Sequence, residues 1–170
     1  NGVYNRNGDR QARTVELQRG QVTSFFVKVQ NDGPDVDDLR ISGTRETTAF
    51  AVRYFLGPTR VSDQVKAGTF VLRGVPAGGE RVLRVEVEAT PRARPGDSRR
   101  TFVRSISQTD GRVDVVRATT RIPLFTPEQE RIAELVNQTR AANGRNRLAL
   151  NRTLTTKAQR WAEYLAAISR

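Results

Sequence analysis

Four aspartates, Asp32, Asp35, Asp37 and Asp38, are concentrated in one polar stretch that follows Asn31. Carboxylate oxygens are ligands that Ca²⁺ prefers, so this stretch is a candidate calcium site. Its spacing is not that of an EF-hand loop, because the Gly and the closing Glu of that loop are missing. Asp and Asn are also favoured in turns, where their side chains bond to neighbouring backbone. The sequence leaves both interpretations open, a calcium site and a solvated turn.

The remaining carboxylates that could transfer protons have simpler explanations. Glu86 and Glu88 alternate with Arg84 along a predicted strand, and paired charges are common on exposed sheet faces. Acidic side chains near a helix start favour the positive end of its dipole, and this explains Glu128, Glu130 and Glu134. The chain has no His and no Cys, so its residues cannot form a thiolate nucleophile, a Cys/His zinc site or a Ser-His-Asp triad. We predict that the chain is not an enzyme and needs no cofactor.

The chain is strongly basic, with a formal net charge of +11. Such a charge is typical of proteins that bind nucleic acid or anionic surfaces. Almost all of the cations are arginines scattered along the predicted strands, which a GC-rich coding bias also produces. The densest group has one aromatic neighbour for stacking bases, Phe102, and comprises Arg92, Arg94, Arg99, Arg100 and Arg104. We therefore disfavour nucleic acid and keep cell-envelope polymers or another protein as partners. No apolar run is long enough to cross a bilayer.

Short strand patterns recur from Gln11 to Ile122 and indicate a mostly antiparallel sandwich. The clearest alternation is at 81–89, and turn residues separate the strands at Asn31-Asp32-Gly33-Pro34 and at Asp110-Gly111. Seven or eight strands in about 110 residues fit an immunoglobulin-like β-sandwich, which we assign to residues 1–122. The predicted core contains Phe25, Val27, Val29, Phe50, Val52, Leu83, Val85 and Val87.

The hydrophobic period changes to that of helices after Ile122-Pro123. Thr126 is a predicted N-cap, Pro127 suits the first helical position, and Gln129 completes a capping box. This helix ends near Asn143-Gly144. A second helix follows a cap at Asn151 and carries an apolar stripe formed by Leu154, Ala158, Trp161, Leu165 and Ile168. On such a stripe, Trp161 is predicted to be a core residue rather than a ligand-stacking one.

Two helices of this size do not form a stable core alone. We therefore expect residues 123–170 to be the N-terminal helical part of an incomplete second domain. The first helix should pack against the second through Ile132, Leu135 and Val136. The apolar surface that remains should promote self-association through this helical tail.

The sandwich resembles bacterial extracellular immunoglobulin-like modules of the CARDB type. The resemblance lies in Phe25-x-Val27-x-Val29-Gln30-Asn31-Asp32-Gly33, in Val75-Pro76-Ala77-Gly78-Gly79 and in the alternating strand 81–89. These motifs consist of residues that favour turns, followed by an outer strand. They imply a fold and an extracellular or cell-surface location, and they imply nothing specific about a ligand.

The helical tail resembles the opening of a bacterial CAP domain, the family of cysteine-rich secretory proteins, antigen 5 and pathogenesis-related 1 proteins. The matching pattern is Glu130-x-x-x-x-Leu135-Val136-Asn137-x-x-Arg140-x-x-x-Gly144, then Leu148, Leu150, Leu154, Ala158, Trp161 and Ala162. The resemblance implies an α-β-α sandwich and commonly secretion. The family's His- and Glu-bearing cleft segments come later in its pattern, so none of its cleft residues is carried over to this chain.

The sequence favours a non-catalytic extracellular or cell-surface module, acting as spacer, adhesion or binding domain beside a CAP-like domain. The alternative is the targeting arm of a CAP-type enzyme or lipid-binding protein whose cleft lies beyond Arg170. A His, a Gly-Glu segment and a second His in that region would establish such a cleft. Binding of nucleic acid or another anionic polymer is a further alternative and predicts retention that falls steeply with salt.

Overall fold

The structure is a computed structural model that describes residues 6–8 and 10–168, and the chain divides into two compact units after Ile122. The described part of the first unit contains nine strands and one short helix. The strands are β1 (Ala12–Glu16), β2 (Val22–Gln30), β3 (Asp37–Gly43), β4 (Phe50–Leu56), β5 (Thr59–Arg60), β6 (Phe70–Val75), β7 (Glu80–Ala89), β8 (Ser98–Ser107) and β9 (Val113–Arg121). Helix α1 is Ser62–Ala67, and the second unit contains α2 (Pro127–Ala142) and α3 (Arg152–Ile168).

The nine strands form two sheets. The five-stranded sheet has the order β1-β9-β8-β3-β6, and the four-stranded sheet has the order β2-β7-β4-β5. Neighbouring strands are antiparallel, except that β1 runs parallel to β9. The first unit is therefore an immunoglobulin-like, mostly antiparallel β-sandwich, and the predicted fold class is confirmed.

The core lies between the two sheets and follows from the alternation of apolar residues along the strands. Side chains of successive strand residues point to opposite faces, so every second residue of β2, β4 and β7 faces inward. All eight residues predicted to form the core are buried, with Tyr54, Ile41 and Val75 completely covered beside them. The outward face of the same strands carries charged side chains, as a half-solvated sheet requires.

Strand β3 and helix α1 were not predicted by the sequence patterns. Strand β3 begins at Asp37, so Asp37 and Asp38 belong to a strand and not to the loop with Asp32. Its inward residues are Leu39 and Ile41, too short an alternation to stand out after an acidic stretch. Helix α1 has six residues, fewer than periodicity can detect.

The helices of the second unit begin where the sequence predicts. The Thr126 hydroxyl accepts a hydrogen bond from the Gln129 backbone N–H, and the Gln129 side chain accepts one from the Thr126 N–H. This is the predicted capping box. Asn151 caps α3 by accepting from the Leu154 N–H at 3.2 Å. The second helix was predicted to run to the end of the chain, and residues 169 and 170 lie outside the described residues.

The predicted packing of the two helices is wrong. Ile132, Leu135 and Val136 are exposed, and Trp161 is 61% exposed rather than a core residue. Helix α2 offers three large apolar side chains among charged neighbours, which is too little area to hold a second helix against it. Instead, Trp161 stacks on Tyr164 of its own helix, with ring centroids 5.5 Å apart.

Candidate functional site

The stretch after β2 is a turn organised by Asn31. The Asn31 side-chain amide donates to the backbone oxygens of Asp35 and Val75, both at 2.8 Å, and accepts from the Gly33 N–H at 2.9 Å. The Asn31 backbone also exchanges hydrogen bonds with Gly78 and Gly79. One buried amide therefore joins this turn to the turn between β6 and β7. The Asn of the motif around 29–33 is explained by this structural role.

Asp37 uses its carboxylate to hold the β8–β9 hairpin. The side chain is buried, and it accepts hydrogen bonds from the hydroxyl of Thr109 at 2.8 Å and from the Thr109 N–H at 3.2 Å. Burial by itself raises the pKa of Asp37, but hydrogen bonds from Ser107, Thr109 and Asp38 outweigh it, so this pKa lies below its ordinary value. The charged form of Asp37 is the one that the fold stabilises.

We expect Asp37→Ala to destabilise the sandwich at neutral pH and much less in acid. A carboxyl with a lowered folded-state pKa contributes stability above its unfolded pKa of about 3.9, and this contribution is lost as the pH falls through the folded value. Urea unfolding at a series of pH values should show wild type and variant converging below about pH 4. Asp35→Ala, at an exposed position of the same turn, is the control. A difference between wild type and Asp37→Ala that stays constant with pH would contradict this role.

The four candidate calcium ligands are not brought together. Asp37 bonds to Thr109, and Asp38 accepts from the Gly74 N–H at 2.8 Å and pairs with Arg73 at 3.2 Å. A hollow of about 220 Å³ lies beside the turn and is lined by Asp32, Asp35 and Asp37 among others. Among residues 6–8 and 10–168, no group of three or more acidic side chains has a metal-binding arrangement. Calcium binding stays a prediction of the sequence without support from this geometry.

The carboxylates of β7 are paired with arginines across the outer face of the four-stranded sheet. Glu88 accepts from Arg53 of β4 at 2.6 Å, and Glu86 pairs with Arg84 of its own strand. Arg84 also lies over the Phe55 ring, 4.1 Å from its centroid. These acids stabilise the sheet face, which agrees with the charge-pair interpretation of their spacing.

The acidic residues of α2 also serve local structure. Hydrogen bonds from its own backbone and from Thr126 at the helix start hold the pKa of Glu128 below its ordinary value. Glu134 pairs with Arg147 at 2.7 Å, which ties α2 to the segment before α3. The Asn137 amide bonds to both the N–H and the carbonyl of Leu148, so it fixes the same segment.

Three exposed apolar side chains lie along the outer face of the four-stranded sheet, and we call this set the β2 patch. It consists of Val22 and Phe26 of β2 with Val82 of β7, and Phe26 is 70% exposed. Strand register places Phe26 opposite Arg84, which in turn lies opposite Phe55. The signal was present in the sequence, because Phe26 falls on the polar face of its strand beside Lys28. A large aromatic residue in that position has no role in the core.

A groove of about 520 Å³ runs between the edge strands of the two sheets, β1 and β2. Its walls include Ala12 and Arg13 of β1 and residues 25–30 of β2. Thr101 of β8 also lines it. Thr101 is only 3% exposed, and its hydroxyl has no hydrogen-bond partner in the described structure. The groove thus has a mixed lining, with charged side chains such as Arg13 and Asp114 beside apolar ones, and one buried hydroxyl without a described partner.

We expect Thr101→Val to raise the stability of the sandwich by about 1 kcal/mol. The substitution keeps the shape of the side chain and removes a buried hydroxyl that makes no hydrogen bond, so no bond is lost in the free protein. Thr120→Val is the matched control, because the buried Thr120 hydroxyl donates to the Arg99 carbonyl. Thermal unfolding of both variants should shift in opposite directions. A loss of stability in Thr101→Val would show that its hydroxyl is satisfied in solution.

None of the described helices is long and apolar enough to span a membrane.

No protein-family model matches the chain, and no curated protein matches it either. Solved structures match parts of the chain at low similarity. A family 123 glycoside hydrolase from Clostridium perfringens is 6% identical over 70% of this chain and 24% of its own, with a TM-score of 0.46. The sialic acid binding region of a Streptococcus sanguinis adhesin is 18% identical over 68% and 30%, with a TM-score of 0.40. A PapD-like domain of human CEP192 is 10% identical over 66% and 80%, with a TM-score of 0.38. The chain spans 24% to 30% of the first three such structures.

Proposed function

We propose that this chain is a non-catalytic extracellular or cell-surface module whose sandwich binds another protein. The observation that supports the proposal best is the β2 patch. Most exposed large apolar side chains of the sandwich lie there, while Val36 is exposed in the turn after β2. Phe26 and Val82 are diagonal neighbours in the strand register, and exposed apolar side chains that adjoin on one face are typical of interaction sites.

The charges around the β2 patch favour a protein partner over a polyanion. Three cations on this face are neutralised by neighbouring carboxylates, in the pairs Lys28–Glu80, Arg53–Glu88 and Arg84–Glu86. An apolar centre surrounded by paired charges is the usual anatomy of a protein–protein interface. The net positive charge of the chain is therefore not concentrated on this face of the sheet.

Four acidic residues considered as candidate site residues are used in the fold. Asp37 and Asp38 hold turns and strand ends, and Glu86 and Glu88 are paired with arginines. The whole chain also lacks His and Cys. These assignments support a non-catalytic role, which is part of the proposal.

For the second unit, we keep the proposal that α2 and α3 belong to a CAP-like domain. The capping box and the Asn137–Leu148 bonds define a helix–loop–helix segment. The exposed apolar residues of α3, such as Leu154, Leu165 and Ile168, suit a helix that packs on further structure. Attachment of the sandwich to such a domain is compatible with a spacer or adhesion role.

Site-specific photo-crosslinking tests the binding role. A photoreactive benzoylphenylalanine replaces Phe26 in one sample of the full chain and Val36 in the matched control, which is 63% exposed. Both samples are incubated with intact cells of the source organism and irradiated. A discrete protein adduct from position 26 alone supports the proposal. Equal labelling from both positions, or labelling from neither, contradicts it.

An activity assay tests the non-catalytic part of the proposal. Ester, peptide and glycoside substrates should show no turnover above background. Turnover that is removed by mutating one carboxylate would overturn the non-catalytic part.

A further inference from the structure

We propose that the outward edge of β2 from Val22 to Lys28 binds an extended peptide segment of a partner protein as an added strand, which occupies the groove between β2 and β1. The inference deepens the proposed function and rests on it, because it names the partner's conformation and the site that receives it. Main-chain hydrogen bonds would supply affinity, and the groove would select the side chains.

The first support is the direction in which the backbone N–H and C=O groups of β2 point. Strand β2 pairs on one side with β7 and has no strand on the other within the described structure. The Ala89 N–H donates to the Gln21 carbonyl, and the Asn31 N–H donates to the Gly79 carbonyl. The backbone N–H and C=O groups of the odd-numbered residues of β2 therefore point toward β7. In an antiparallel ladder the alternate residues point away. The backbone groups of Val22, Ser24 and Phe26, and likewise of Lys28, therefore face outward without a partner strand among residues 6–8 and 10–168.

Only another extended backbone matches this row of groups. Alternating N–H and C=O groups repeat every second residue along a strand, a spacing that an added β-strand reproduces and a helix does not. The four outward residues span seven positions, so the partner segment needs about seven residues in extended form. The chemistry of the edge thus identifies a peptide strand as the occupant.

The second support is that this edge lacks the protection found at the others. Strand β5 has two residues, and β1 has five. Strand β6 carries Arg73 and a positive-φ Gly74 beside a register shift. Strand β2 has nine residues, no proline and no register shift, and its one charged residue, Lys28, is neutralised by Glu80 of the neighbouring strand at 2.7 Å. Proteins normally shorten, bulge or charge their edges to prevent strand addition. Of the described edges, β2 alone remains long and regular.

The third support is the groove itself. An added strand presents every second side chain inward, toward the space between the sheets. The inward wall there is formed by Phe25, Val27 and Val103, all buried and apolar. The unpartnered hydroxyl of Thr101 lies among them. The fitting segment therefore has small apolar residues facing inward, with one hydroxyl-bearing residue near Thr101. Its outward residues flank Phe26 of the β2 patch.

A synthetic peptide tests the site on the full chain. The probe is a capped nonapeptide of alternating valine and threonine with a lysine at each end. The control is the same peptide N-methylated at its four central amides, which cannot pair as a strand. Nuclear magnetic resonance should show saturable binding of the probe and slower exchange of the amide hydrogens of Val22, Ser24, Phe26 and Lys28. Exchange at these four positions should slow by about tenfold or more on saturation, as expected for newly paired backbone groups.

A pair of variants checks the mechanism. Ser24→Pro removes an outward N–H that makes no bond within its own sheet, so the fold tolerates it. Ser24→Ala keeps that N–H. The proline variant should bind the probe about tenfold more weakly, the range of one or two lost hydrogen bonds, while the alanine variant should bind as wild type does. Circular dichroism checks that both variants are folded. If the proline variant does not fold, the hydrogen-exchange measurement on the wild-type chain still tests the site.

The outcomes separate the alternatives. Equal binding of the N-methylated peptide, or no added protection along β2, overturns the inference. Protection of the same amides without peptide, rising with protein concentration, also overturns it and assigns the edge to a second copy of this chain. If the adduct at position 26 persists while the peptide fails to protect β2, the binding role stands and the strand-addition site fails. If the adduct is absent while the peptide still protects β2, the strand-addition site stands and the role of the β2 patch fails.

Discussion

Gly43→Ala should be among the most destabilising single-methyl changes in this protein. A Cβ at Gly43 would lie 2.5 Å from both Cζ and Oη of Tyr54, well inside van der Waals contact. Tyr54 cannot move aside, because it is completely buried and its hydroxyl donates to the Thr44 carbonyl at 2.9 Å. Burial raises the pKa of Tyr54, so the phenol stays neutral and keeps this bond. We expect a loss of about 3 kcal/mol, the upper part of the range for overpacked cores.

Urea unfolding of the full chain, followed by the circular dichroism of the strands, measures this loss. Ser42→Ala is the control, since it changes the neighbouring residue of the same strand without adding an atom toward Tyr54. A Gly43→Ala variant as stable as Ser42→Ala would mean that the contact between β3 and β4 is looser in solution than the structure shows.

The second large effect is expected for Asn31→Ala. The substitution removes three side-chain hydrogen bonds and leaves the carbonyl of Val75, in a fully buried residue, without its Asn31 donor. An unsatisfied buried polar group costs about 1–3 kcal/mol, so a total of about 3 kcal/mol is expected. Thermal unfolding compared with Asp35→Asn, a change at an exposed position of the same turn, measures it.

Asn31→Asp adds a stricter check on the same site. A carboxylate keeps the acceptor for Gly33 but places negative charge against the carbonyls of Asp35 and Val75. Its stability should therefore be as low as that of Asn31→Ala at neutral pH and should recover partly in acid, when a protonated carboxyl can donate. Variants that unfold like wild type at all pH values would show that the two turns are joined by other contacts.

The fold class was predictable because apolar and polar residues alternate strongly along a strand whose sheet has one buried face and one solvent-exposed face. Strand β7 shows it best, with Leu83, Val85 and Val87 inward and Arg84 and Glu86 outward. The start of α2 was predictable for a different reason. The Thr126–Gln129 capping box is a local interaction, and four neighbouring residues contain all the information it needs.

Strand pairing was not predictable in the same way. The parallel contact between β1 and β9 joins residues about a hundred positions apart, and nothing in the five residues of β1 specifies that partner. The inward side of β3 was hidden because Asp37 and Asp38 have the residue type of a turn. Their carboxylates bond to Thr109, Gly74 and Arg73, which are contacts that only the tertiary structure reveals.

The proposed interaction surface was even harder to predict from the sequence. The sequence places Phe26 on the polar face of a strand, but only the topology shows that β2 is an edge and that a groove runs beside it. In the second unit, the apolar stripe of α3 was predicted correctly as a pattern. Whether Trp161 is covered depends on what surrounds the helix, and a periodicity carries no information about its neighbours.

The parallel pairing of β1 with β9 has a mechanical consequence. The first described strand begins at Ala12 and the last strand of the sandwich ends at Arg121. These two residues lie at opposite ends of one ladder of five paired positions. Tension between the two ends of the sandwich pulls the strands along their own axes in opposite directions, so the ladder is loaded in shear and its hydrogen bonds share the force. Pulling across an antiparallel hairpin such as β8–β9 from its open end would break the bonds one after another. Single-molecule pulling between residues 12 and 121 should therefore require a higher rupture force than pulling between residues 98 and 121. A module held at both ends would carry tension through the β1–β9 ladder.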